Sequence, residues 1–292
     1  MTRCTPDSMQ FSRLKGKNIQ ADFDGGAITS DAGAVLLREV DKRIGLIDAI
    51  NDCIPDPRNP FFIAHTQRAM LAQRIIAIAQ GYEDLNDHQT LRDDPLFQVA
   101  TDRGIDPELP LASTSTLWRL EDRVNHDSMV KIIDAFIKEF IRSHPTAPPQ
   151  IVLDFDATDD PIHGQQEGRF FHGYYDCYCY LPLYVFCGDQ LLVPYLRPSN
   201  IDGAKHSWAI LKCLVQRFRE VWPDVRIIMR ADGGFCRWKM MRWCDNHGVY
   251  YVLGLPKNSV LLKLAGPVIQ KAEVQFRQTG LTQRLLGTFS YA

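Results

Sequence analysis

The 292-residue chain has no uninterrupted apolar run approaching the roughly 18 residues that a membrane span needs. Its opening, MTRCTPDSMQFSRLKGK, has no apolar signal-peptide region, so this reading places the protein in the cytoplasm with no membrane partner. The eight cysteines (Cys4, Cys53, Cys177, Cys179, Cys187, Cys213, Cys236 and Cys244) form no C-x-x-C pair and no zinc-ligand spacing. Reduced, packed thiols are expected. Also missing are a G-x-S-x-G nucleophile elbow, a G-x-x-x-x-G-K-[ST] phosphate loop and an H-E-x-x-H zinc helix. Repeats and low-complexity tracts are absent, and a net charge of −2 gives no global attraction to polyanions.

What is present is a 45% hydrophobic composition, enough for one large domain or two ordinary ones. The charge is uneven. From Arg197 to Lys263 there are 12 Lys or Arg against 5 Asp or Glu, while the remainder holds 21 against 30. The basic stretch admits a phosphate-facing surface, and equally a set of solvated helix faces.

The first 147 residues read as a mainly helical region. ADFDGGAITSDAG suggests turns and a helix cap, and helical periodicity follows in AVLLREVDKRIGLIDAI, in the segment around Met70 to Ala79 that stops at Gly81, and in SMVKIIDAFIKEFIRSH. HPTAPPQ, with three prolines, then cannot continue a helix. Beyond it come strand patterns: IVLDFDAT, the aromatic YDCYCYLPLYVFCG, and QLLVPYLRP. A helix with Trp208, Leu211, Leu214, Val215, Phe218 and Trp222 at helical spacing follows, then VRIIMRAD, a second helix and VYYVLGL. The order β-β-β-α-β-α-β predicts an α/β fold with a mixed sheet over 148–262.

IVLDFDATDDPIHG places acids in an apolar strand, where unpaired carboxylates cost several kcal/mol. Alternation puts Asp154 and Asp156 on one face, roughly 7 Å apart, opposite Ile151, Leu153 and Phe155. Asp159 and Asp160 read as turn residues before Pro161, and His163 as a turn or phosphate contact. Asp232 ends the VRIIMRAD strand before Gly233 and Gly234. With the two strands side by side, Asp156 and Asp232 can hold a divalent cation between them. D-F-D-A-T also fits the D-x-D-x-T signature of haloacid-dehalogenase-type phosphatases, with Asp154 as nucleophile and Asp156 as general acid/base. Against this, aromatic strands follow where such enzymes have an α/β crossover.

The strings TSDAGAVLLRE, RAMLAQRIIAIAQGYEDLNDHQTLRDDPLF, STSTLWRLE, LDFDATDDPIHGQQEG, YLPLYVF, LRPSN and RADGGF resemble insertion-sequence transposases of the thirteen-eighty family, related to the insertion sequence four group. The resemblance runs from about residue 22 to the last residues. It implies a ribonuclease H-like fold, a DDE transposase activity, Mg²⁺ or Mn²⁺ as cofactor, DNA (transposon ends and target) as partner, and self-association. By motif, Asp156 and Asp232 become catalytic metal ligands and Asp154 their neighbour, while Arg197, Arg230 and Arg237 become candidates for DNA phosphates. The third acid of such enzymes is a Glu on a helix beyond a mostly β insertion. Residues 263–292 read as the start of that insertion, and Glu273 lacks the Tyr, Arg and Lys companions of the catalytic Glu. The expectation is therefore a transposase chain that stops before its third acid, or else an inactive remnant or DNA-binding regulator.

Overall fold

The structure, a computed structural model, describes residues 8–22, 31–104 and 108–290. Cys4 and residues 23–30, within the expected glycine-rich turn, lie outside the described residues. The chain divides into two compact units, Met1–Ser143 and His144–Ala292.

The first unit opens on an antiparallel hairpin of β1 (Met9–Leu14) and β2 (Lys17–Ala21). Lys15 and Gly16 turn it, both at positive φ. A mainly helical reading passed over these strands because each is a single short run of alternating residues. The helices are α1 (Gly33–Ile44), α2 (Leu46–Asn51), α3 (Gln67–Ala79), α4 (His88–Leu91), α5 (Pro95–Ala100), α6 (Thr114–Asp122) and α7 (His126–Arg142). The periodic stretch AVLLREVDKRIGLIDAI is two helices rather than one, because Gly45 takes φ 69° and ends α1. Side-chain caps fix other starts: Thr66 accepts from the Ala69 N–H before α3, and Asn125 from the Ser128 N–H before α7. Met70, Ala72, Ile76, Phe97, Leu117 and Leu120 lie in the core these helices share.

The second unit is built on β3 (Gln150–Ala157), followed by β4 (Asp160–Pro161), β5 (Phe170–His172), β6 (Cys177–Tyr180), β7 (Leu183–Cys187) and β8 (Gln190–Tyr195). Next come α8 (Ser207–Val221), β9 (Arg226–Ala231), α9 (Trp238–Asn246), β10 (Tyr250–Leu253) and α10 (Ser259–Thr279). Five strands form a mixed sheet in the order β10-β9-β3-β7-β8. β9 and β10 run parallel to β3, whereas β7 is antiparallel to β3 and β8 to β7. The expected single strand YDCYCYLPLYVFCG is split. Its first half is β6, in a separate three-stranded sheet of order β4-β6-β5, and its second half is β7. Pro182 stands at the break, where it has no N–H to give a ladder.

The crossovers β8-α8-β9 and β9-α9-β10 advance the same way across the sheet, so right-handedness puts both helices on one face. That face is the core: Ile151, Leu153, Phe155, Ile227 and Met229 of the strands are buried, as are Leu211, Leu214, Val215 and Phe218 of α8 and Met240 and Cys244 of α9. The opposite face carries Asp154, Asp156 and Arg230, with Val252 60% exposed. α10 has no buried residue, and it is helical where the resemblance implied the start of a mostly β insertion. Buried Cys53, Cys179 and Cys244 fit the packed-thiol reading, but Cys213 is exposed.

Candidate functional site

The ends of β3 and β9 set the geometry. Asp154 lies opposite Arg230 and Phe155 opposite Ala231 in the parallel ladder, so Asp156 and Asp232 each come directly after the last paired residue of their strands. On its other side Asp156 pairs across β7 with Tyr184. Both carboxylates are exposed. Backbone packing holds Asp232: its Oδ1 accepts the Gly234 N–H at 2.9 Å, and a Cβ on Gly234 would stand 3.0 Å from that oxygen. The turn is locked from behind, since a Cβ on Gly254 would meet the Gly233 nitrogen at 2.8 Å. Phe155 packs edge-on against buried Phe235, tying the core face of β3 to the turn after Asp232.

Asp154 has a different fate. Both its oxygens take hydrogen bonds from Arg230, the Nη2 to Oδ2 distance being 2.6 Å, and that bond raises the Arg230 pKa. The expected supporting metal ligand is thus an ion-pair partner, and Arg230 spends its fork on a carboxylate rather than facing phosphate. The phosphatase alternative fails here as well. Its nucleophile would be tied up in this pair, and β3 is flanked by antiparallel β7 instead of an α/β crossover.

Arg197 is not a surface arginine. It is 2% exposed, and its guanidinium donates to the carbonyls of Leu181 at 2.9 Å, Gly203 at 3.1 Å and Lys205 at 2.6 Å. The expected phosphate contact is therefore an internal anchor. It fastens the 198–206 loop, whose Gly203 lies against Ala157, the residue after Asp156. Arg237 is half exposed and bonds Asp202 of that same loop at 2.7 Å. His163 is exposed just past β4.

Sequence reasoning missed two groups. Tyr175 donates its hydroxyl to the Ala157 carbonyl at 3.3 Å, and its pKa is raised by burial and then by the charges of Asp159, Asp156 and Asp232. A tyrosine in the field of both strand-end acids lies 19 residues past Asp156 in sequence, with no spacing rule to flag it. The second group is Trp208, flanked by Lys212 at 6.0 Å and Lys239 at 4.6 Å from its ring centre, with exposed Trp238 next to Lys239 in sequence. Its signal was the basic stretch itself.

Among the described residues no group of three or more His, Cys, Asp or Glu is arranged to hold a metal ion. Glu273 is exposed on α10. Asp156 and Asp232 are exposed and carry hard carboxylate oxygens, the donor type of which a hard cation takes one or two from protein.

The second unit is a mixed α/β sheet with an exposed aspartate near the end of β3 and another directly after β9. The chain belongs to the family described as transposase DDE domain, group 1, which matches residues 11–292. A search of curated proteins gave no match. Among solved structures it is similar to a piggyBac transposase synaptic complex with hairpin DNA, at 13% identity and a TM-score of 0.35, over 80% of this chain and 52% of that one. A Mos1 transposase paired-end complex with the left transposon end is similar at 9% identity and a TM-score of 0.26, over 76% of this chain and 68% of that one. The chain thus spans about half the length of the piggyBac protein. No helix among the described residues is long and apolar enough to cross a membrane.

Proposed function

We propose that this chain carries the two-aspartate part of a DDE transposase site, acting on DNA phosphodiesters at the ends of an insertion sequence of the thirteen-eighty type. Asp156 and Asp232 are its catalytic metal ligands. The observation that supports the reading is the register of β3 and β9, which pairs Phe155 with Ala231 one residue before the two acids. Family membership and the order β10-β9-β3-β7-β8, which fits a ribonuclease H-like core, support it.

Mg²⁺ or Mn²⁺, when bound, supplies Lewis-acid activation of the attacking oxygen and of the leaving oxygen. Asp156 and Asp232 hold hard oxygens towards it, and the Gly234 N–H orients one Asp232 oxygen. Asp154 keeps Arg230 in place beside them. Lys212 and Lys239 supply charge for the DNA backbone, positioning it without reading sequence, while Arg237 holds Asp202 of the 198–206 loop.

Calorimetric titration with Mn²⁺ should show binding to the native chain that weakens at least tenfold in Asp156→Asn and in Asp232→Asn, and is unchanged in Glu273→Gln. Strand transfer of an end-bearing DNA should vanish with Asp156→Asn. Mn²⁺ binding indifferent to both aspartates, with transfer intact in Asp156→Asn, would sink the assignment.

A further inference from the structure

The small sheet β4-β6-β5 leaves the chain directly after Ala157, and its outward face is aromatic. Strand alternation and the pairing of Phe171 with Tyr178 put both rings on that face, 5.6 Å apart and edge to face, each about half exposed. Arg169 lies on the same side, with its guanidinium 4.8 Å over the Tyr178 ring. Tyr174, at the hairpin turn, is 85% exposed and stands 5.0 Å from Tyr175, the ring that reaches back to the Ala157 carbonyl. Exposed rings lose apolar burial, and a set of them on one face with a stacked arginine has no packing role in the described residues to explain it.

We propose that this face is a stacking platform for unpaired nucleotides of single-stranded DNA next to the strand-end acids. Three features fit that occupant. Phe171, Tyr174 and Tyr178 offer ring surface for bases of any sequence, and Arg169 brings a cation that both stacks and complements phosphate. Asp160, on neighbouring β4, pairs with Tyr180 on the same face, so ring stacking rather than charge supplies most of the attachment. Bases stacked inside a duplex cannot reach the rings, so the platform selects unpaired strands. The route to the chemistry is Tyr175, which joins the hairpin to Ala157 in the field of Asp156 and Asp232. The inference rests on the DNA reading above, and adds to it the form of DNA that this part of the surface takes.

The test is fluorescence anisotropy on the full chain with a labelled 15-nucleotide oligo-dT and a labelled 15-base-pair duplex, each at fixed salt. The double variant Phe171→Ala/Tyr178→Ala should bind oligo-dT at least tenfold more weakly, the loss expected of one or two base stacks, with duplex affinity changed less than twofold. Phe171→Trp should hold or improve oligo-dT binding, and Arg169→Gln should weaken it several-fold, which keeps the test valid if the double variant misfolds by circular dichroism. Equal loss on both probes, or oligo-dT binding indifferent to all three variants, would overturn the platform. Sedimentation showing a native dimer that the double variant dissolves, with oligo-dT affinity intact, would overturn it in favour of a second copy on this face. The Asp156→Asn chain should still bind oligo-dT, so failure of the catalytic assignment and failure of the platform are read in separate measurements.

Discussion

Gly254 and Gly233 meet backbone to backbone behind Asp232, and Gly254 donates its N–H to the Ala231 carbonyl at 3.0 Å. A methyl group at 254 has the Gly233 nitrogen 2.8 Å away, an atom that cannot swing aside. Gly254→Ala is therefore expected to cost about 1–3 kcal/mol in urea denaturation and to weaken Mn²⁺ binding by displacing Asp232. Gly266, inside α10 with nothing within 4 Å of an added Cβ, is the control: Gly266→Ala should be neutral or stabilise by up to about 1 kcal/mol. At this scale the sequence spoke clearly on Asp156, Asp232 and the glycines after it. It was silent on which acid would be neutralised, because Asp154 and Asp156 share a face and differ only in what β9 sets beside them.

Among elements, the 198–206 loop is the piece whose order depends on one side chain. Arg197 gives three carbonyls their partner from a buried position. Arg197→Met would leave those oxygens unpaired at a cost of about 3 kcal/mol, and Arg197→Lys would keep the charge but lose the fork that spans them. Hydrogen exchange should show residues 198–206 opening at least tenfold faster in Arg197→Met, with α8 little changed. An unaltered exchange pattern would remove the anchor role. LRPSN carried this arginine in plain view, yet a basic residue beside a loop has the same letter whether it faces carbonyls or phosphate. Periodicity found α3 and α7 well, since their caps are local, but merged α1 with α2 and β6 with β7, where one glycine or one proline breaks an otherwise continuous pattern.

At the scale of the whole molecule, a buried histidine gives the first of the two units an acid sensitivity. In Met1–Ser143, His88 is 0% exposed, accepts from the Gln73 amide at 3.1 Å, and has its pKa pushed down to about 4 by burial and then by the charge of Arg74. The Gln73 orientation is set by its bonds to Ala112, so Nδ1 must be the acceptor and the imidazole neutral. An unfolded histidine binds its proton near pH 6.5, so stability is full above that value and falls as pH drops towards 4. Between pH 7.5 and 5 the loss should be about 2 kcal/mol, confined to the unit Met1–Ser143 and flattened in His88→Gln. Chemical denaturation at the two pH values, followed by exchange of amides in α3 and α4, measures it; a pH-independent first unit would refute it.

The amino-acid sequence alone determined which residues share a strand face, where helices begin, and that Asp156 lies in a strand and Asp232 at the end of one, because alternation and capping are set within a few residues of backbone. Only the tertiary structure decided that Asp154 belongs to Arg230, that Arg197 is buried, that β6 leaves the main sheet, and that Tyr175 reaches the Ala157 carbonyl. Those depend on which distant strand lies alongside and in what register, and a one-residue slip would turn every side chain to the other face.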